Sequence, residues 1–146
     1  MKKRVFLVFT LVLIVLGGCA PKKYIPKPNE EFYGTWTNEK AVPQRVVIFA
    51  GGFKQYNRIG DTVPTYSEGI FEIQSRWQDV EGNIWYKLYG TDLPGGEKFQ
   101  SLVKLSKSAT VYERVHNFVA EFNPKSFPTK ITTDYGTYDI FFRSAD

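Results

Sequence analysis

The sequence predicts an all-β chain, a small antiparallel up-and-down β-barrel of about eight strands. Three observations carry that expectation. Short runs rich in β-branched and aromatic residues recur along the chain, several alternating apolar and polar with a period of two. Clusters of glycine, proline, asparagine and aspartate separate them. Successive runs are joined mostly by hairpins without long crossovers. A meander of that kind removes its exposed edges by closing on itself. An open sandwich of two sheets is the competing arrangement.

The first run is Tyr33–Asn38, and the second, Gln44–Phe49, is dense in Val46, Val47, Ile48 and Phe49. Gly51-Gly52 then turns the chain, because glycine reaches positive φ without a Cβ clash. Phe53–Asn57 returns, and Arg58–Tyr66 reads as a loop holding Gly60, Asp61 and Pro64. Ser67–Trp77 has the clearest alternation: Phe71, Ile73, Ser75 and Trp77 on one face, Glu72, Gln74 and Arg76 on the other. Asp79–Asn83 turns, and Ile84–Tyr89 returns with Ile84, Tyr86 and Leu88 opposite Trp85, Lys87 and Tyr89. After Pro94-Gly95-Gly96, the run Phe99–Leu105 sets Phe99, Ser101, Val103 and Leu105 on one face. Ser106-Lys107-Ser108 leads to Thr110–Val115. Asn117–Lys130 is irregular, with room for one short helical turn, and Thr137–Arg143 is the last run.

The N-terminus has a different character. Lys2, Lys3 and Arg4 precede Val5–Leu16, which is apolar except for Thr10. Twelve residues reach only about 18 Å as helix, short of a ~30 Å bilayer core, so the run reads as a secretory signal rather than a membrane span. It ends Leu16-Gly17-Gly18-Cys19, which resembles the lipobox of bacterial lipoproteins. The resemblance implies cleavage before Cys19 and acylation of that residue by diacylglyceryl and palmitate-like chains. Two or more such chains, at ~0.8 kcal/mol per buried CH2, hold a protein firmly on a membrane. Cys19 is the only cysteine, so no internal disulfide is expected. In lipoproteins of enteric-type bacteria an aspartate after the cysteine favours the inner membrane. Here Ala20 follows it, so the resemblance implies export and anchoring in the outer membrane.

The expected organisation is therefore a signal peptide at 1–18, a tether at 19–31 and a barrel domain at 32–146. Pro21, Pro26 and Pro28 interleave with Lys22, Lys23 and Lys27 in the tether, an extended and semi-rigid composition. Residues 1–18 hold three of the 19 basic residues and none of the 15 acidic ones, so the remainder carries a net +1. That near-neutral balance argues against a nucleic-acid partner, which wants a clustered basic stripe.

Gly34-Thr35-Trp36 opens the first run and Arg143 closes the last. This resembles the lipocalin pattern, in which a Gly-x-Trp tryptophan plugs one barrel end and a late arginine packs over its ring. Thr133-Asp134-Tyr135-Gly136-Thr137-Tyr138 resembles the second lipocalin motif. Arg143 follows Tyr138 by only five residues, where lipocalins insert a further strand. The resemblance implies a barrel that holds a small hydrophobic or amphipathic ligand, with Gly34, Trp36 and Arg143 as the closing set.

The more apolar strand faces make Phe71, Ile73, Trp77, Tyr86 and Val103 the candidate lining for such a ligand. The alternative is a filled core, with exposed Tyr56, Tyr66 and Tyr89 contacting an envelope or host component. His116 is the only histidine, and Glu113 falls on the opposite strand face. No metal set, phosphate loop or nucleophile elbow is legible, so neither a cofactor nor a catalytic residue is expected.

Overall fold

Eight strands follow one another round a closed ring, each hydrogen-bonded antiparallel to the next. In the computed structural model they are β1 (Gly34–Thr37), β2 (Arg45–Phe49), β3 (Gly52–Tyr56), β4 (Tyr66–Gln78), β5 (Ile84–Leu93), β6 (Lys98–Leu105), β7 (Val111–Val119) and β8 (Thr137–Arg143). The structure describes residues 24, 25, 27, 30–40, 43–57 and 66–145. Cys19, the signal run, most of the tether and most of the Arg58–Tyr66 loop lie outside the described residues. Pairing of Trp36 with Arg143 and of Thr37 with Phe142 joins β1 to β8, so the sheet has no free edge and is not an open sandwich.

Alternation fixes which side chains enter the barrel. Trp36, Val46, Ile48, Phe71, Ile73, Tyr86, Leu88, Val103, Leu105, Tyr112 and Phe141 form one buried cluster with Phe32. They occupy the half of the barrel nearest the chain's entry, here termed the closed end. Arg143 caps this end, its guanidinium carbon 4.3 Å from the centroid of the Trp36 ring. It donates from Nε to the Ala109 carbonyl at 2.7 Å and from a terminal nitrogen to the Tyr33 carbonyl at 3.1 Å. It also donates to the Glu31 carbonyl. The Trp36 indole donates to the Phe32 carbonyl at 2.9 Å. Gly34 leaves room for the arginine: a Cβ there would sit 2.8 Å from a guanidinium nitrogen, on a backbone with φ +135°.

The alternation in β4 breaks at one place. Ile73 pairs with Leu88, but Ser75 pairs with Lys87, so Gln74 is an extra residue, a β-bulge. Beyond it every side chain changes face. Trp77, expected to line the interior with Phe71 and Ile73, lies instead on the outer surface. There it stacks on Trp85 with centroids 5.8 Å apart and planes 10° from parallel. Arg76, expected outside, turns inward and meets Tyr86, Glu30 and Glu31.

Those two glutamates, placed in the tether by composition, are bonded into the closed end. Glu30 is buried and accepts from the Lys27 backbone N–H at 2.9 Å, and Glu31 pairs with Arg76 at 2.7 Å. Between β7 and β8, residues 120–136 cross the outer face of β5–β7 and bury Leu102, Val115 and Phe127. A 3-10 turn, Pro124–Ser126, lies in this crossing, capped by the Asn123 side chain. β5 and β7 run several residues past their expected ends, because their final residues pair with β4 and β6 at the far end of the barrel.

Arg143→Lys keeps the charge, but its donors sit on one nitrogen and cannot reach the separated Ala109, Tyr33 and Glu31 carbonyls while covering the Trp36 ring. It is expected to lower the unfolding free energy by about 2–3 kcal/mol, the scale of losing one or two hydrogen bonds from a charged donor. Gly34→Ala should destabilise in the same direction. Urea unfolding followed by tryptophan fluorescence measures both, and unchanged midpoints would show that the cap contributes nothing.

Candidate functional site

The far end of the barrel is open, and its interior is a cavity of about 210 Å³. Its base is aromatic. Phe53 and Phe99 point inward from β3 and β6, their rings 5.8 Å apart and nearly perpendicular. Two inward glycines admit these rings. A Cβ on Gly69 would lie 2.6 Å from the Phe53 ring, and one on Gly90 would lie 2.3 Å from the Phe99 ring. The rings separate the filled half of the barrel from the open half.

Above them the inward positions turn polar. Gln55, Ser67, Asp92, Arg114, His116 and Asp139 line the cavity, with Phe118 and Lys40 among the remaining lining residues. Arg114 on β7 pairs with Asp139 on β8 at 2.9 Å and donates to the Gln55 side-chain oxygen at 3.3 Å. Lys40, from the β1–β2 connection, pairs with the other Asp139 oxygen at 2.5 Å. Burial alone would raise the Asp139 carboxyl, but Arg114 and Lys40 outweigh it and hold the group below its ordinary value.

His116 Nδ1 lies 2.7 Å from the Ser101 hydroxyl, its cross-strand partner. Burial, helped by the positive charge of Arg114, pushes the imidazole down to about 3, so the ring is neutral near pH 7. Ser101 is itself buried, and both Asp139 oxygens are engaged elsewhere, so the three do not form a nucleophile relay. Glu113 points outward to Lys104 and Tyr138. On β5, two strands round the wall from β7, burial and then the neighbouring Glu97 raise the Asp92 carboxyl, with Arg114 pulling the other way.

The residues proposed from sequence as ligand lining are not at this cavity. Phe71, Ile73, Tyr86 and Val103 are buried in the closed half, where they pack directly. Phe32, supplied by the segment before β1, fills the remaining space, its ring 4.4 Å from Tyr86 and 6.0 Å from Phe71. Trp77 is outside the barrel altogether. Of the tyrosines considered as surface contacts, Tyr89 packs on Phe122 at 4.6 Å beneath the crossing segment. Tyr56 and Tyr66 do sit outside together, 5.9 Å apart, with Arg45 over the first ring and Lys54 over the second. Cys19 lies outside the described residues.

The polar wall was missed because charged residues on apolar strands read as the solvent face. A usable signal existed: Arg114 and His116 stay in phase with buried Tyr112, and Asp139 stays in phase with buried Phe141. Among the described residues no group of acidic, histidine or cysteine side chains gathers as a metal site. None of the described helices is long and apolar enough to cross a membrane.

No protein-family model matches the chain significantly, and no curated protein or solved structure does either.

His116 yields a pH prediction. Its folded value of about 3 lies below the unfolded value near 6.5, so between them the unfolded chain binds more protons. The stabilisation is complete above pH ~6.5 and is lost as pH falls from there toward 3, at up to ~1.4 kcal/mol per pH unit. His116→Asn should flatten the stability profile between about pH 6.5 and 5, where ordinary carboxylates contribute little. Chemical unfolding at a series of pH values measures the difference, and parallel profiles would rule out a buried neutral ring.

Proposed function

We propose that this protein is a lipid-anchored binding module of the bacterial envelope, lipocalin-like in form, that holds a small amphipathic ligand in the open end of its barrel. In this reading the chain is exported, cut before Cys19 and anchored through acyl chains on that cysteine, in the outer membrane.

One observation carries the binding role. The barrel is filled at one end and keeps an aromatic-floored polar cavity at the other. Charges held inside a protein stabilise it little, and a filled apolar lumen often does as well or better, so a retained Arg114–Asp139–Lys40 network favours recognition over packing. The cavity is larger than the ~150 Å³ hole that accommodates benzene and smaller than the ~300 Å³ where drug-sized pockets begin. That range suits a small molecule with one short apolar part and excludes the whole of a long acyl chain. Binding rather than catalysis fits the enclosed Ser101 and a His116 ring held down to about 3, too weak a base to take the Ser101 proton effectively.

Orientation supports the same reading. The chain enters at the closed end, where Glu31 and Phe32 are held by Arg76, Arg143 and Trp36. A tether leading from there to a bilayer leaves the cavity mouth facing away from the membrane, toward solutes of the aqueous compartment.

Two measurements test the proposal. Radiolabelled palmitate should be incorporated by the full chain in bacteria, and Cys19→Ser should abolish it; equal labelling would remove the anchor. Native mass spectrometry of the purified protein should detect a small non-covalent adduct that is lost in Ser67→Trp, where an indole fills the cavity. The same adduct on both proteins would move the site elsewhere.

A further inference from the structure

The charges on the cavity wall are unequally matched. Arg114 and Lys40 both engage Asp139, and Arg114 also engages Gln55. Asp92 is the other carboxylate on the wall, and its side chain has no hydrogen bond or ion pair among the described residues. It projects inward from β5 two residues beyond Gly90, while its backbone pairs with Glu97 across the β5–β6 turn. Glu97 brings further negative charge close by, and Arg114 acts on Asp92 from two strands round the wall without bonding to it.

An entering anion would have to compete with Asp139 and Gln55, which share one terminal nitrogen of Arg114 while its unpartnered Nε is buried, and would meet Asp92, whose charge that guanidinium offsets only in part. An entering cation meets the one carboxylate that is unengaged. Phe53 and Phe118 border the same space. Aromatic faces attract cations, by about 0.5–2 kcal/mol each depending on desolvation, and give the apolar part of a ligand a surface. The neutral His116 ring adds no opposing charge.

We infer that the ligand is a small organic cation, a primary ammonium on a short apolar or aromatic body, with the ammonium on Asp92 and the body against Phe53 and Phe118. The inference rests on the cavity being a ligand site and adds the ligand's charge class to it. Ser67, two residues along β4 from the Gly69 that pairs with Asp92, adds a hydroxyl acceptor to the same stretch of wall. A quaternary cation, which has no donors, would depend on the rings and Asp92 alone.

The test uses the full chain in detergent micelles and three probes of one shape: 2-phenylethylammonium, 2-phenylethanol and phenylacetate. Isothermal titration calorimetry should give the ammonium at least tenfold tighter binding than the alcohol, with phenylacetate weakest. Asp92→Asn, nearly isosteric and checked for an unchanged melting temperature, should bring the ammonium to the affinity of the alcohol. Ammonium and alcohol binding equally to the wild type, or phenylacetate binding best, would overturn the charge class while leaving the cavity as a ligand site. If no probe binds and native mass spectrometry finds no adduct, the cavity reading fails and this inference with it. A tight ammonium complex that Asp92→Asn leaves unchanged would also overturn it, because the cation would then be held elsewhere.

Discussion

Closure of the ring depends on the contact between Arg143 and Trp36. β1 is the shortest strand, and only two residue pairs join it to β8, the thinnest seam in the barrel. Backbone pairing over so short a length is weak by itself. Arg143 strengthens it from inside by covering the tryptophan ring and binding carbonyls at Ala109, Tyr33 and Glu31. The β6–β7 turn, the segment before β1 and the last strand are thereby tied to one side chain. A guanidinium suits this role because its donors are fixed in a plane that also lies flat on an aromatic face.

From that cap the rest of the closed end follows. Once Phe32 is drawn over the barrel, Glu30 and Glu31 are carried to Arg76 and Tyr86. Burial would raise the Glu31 carboxyl, but the Tyr86 hydroxyl, Arg76 and nearby backbone bring it down to about 2. Arg76 reaches this group only because of the extra residue at Gln74; without the bulge, Trp77 would point into space that Phe32 and Tyr86 already fill. The bulge, the plug and the cap therefore require one another, and together they keep the lower barrel dry.

The eight strands were legible because each alternates or is dense in β-branched residues, and because glycine or proline punctuates the turns. β8 was readable to the residue, Thr137–Arg143. What sequence could not reveal depends on contacts distant along the chain. The bulge in β4 leaves no local mark, since Gln74 is an unremarkable strand residue whose displacement is set by pairing with β5. Glu30 and Glu31 look like tether because nothing adjacent to them announces Arg76, 46 and 45 residues away. The cavity was illegible for a related reason. Assigning the apolar face inward is sound where a barrel is filled, yet it assigns the wrong face wherever a barrel encloses polar space. Phe71, Ile73, Tyr86 and Val103 were rightly judged interior, and for that same reason they are not where a ligand finds room.

Filling one half of the barrel also conditions the other. A polar cavity is useful only if its groups hold fixed positions, and loosely supported charges would relax around any solute that enters. Here the support comes from below. Phe99 packs on His116 at 4.8 Å, His116 is bonded to Ser101, and the Arg114 guanidinium lies 5.2 Å over the Phe141 ring of the dry core. Arg114 thus has one side on the apolar cluster and the other on Asp139 and Gln55, which holds both partners at set distances. With Arg114, Lys40 and Asp139 mutually engaged, Asp92 is the wall carboxylate left able to respond to a solute. The same packing that leaves no room for an apolar ligand at the closed end therefore fixes the charged groups at the open end, and in the proposed binding role selectivity at the mouth would follow from rigidity beneath it.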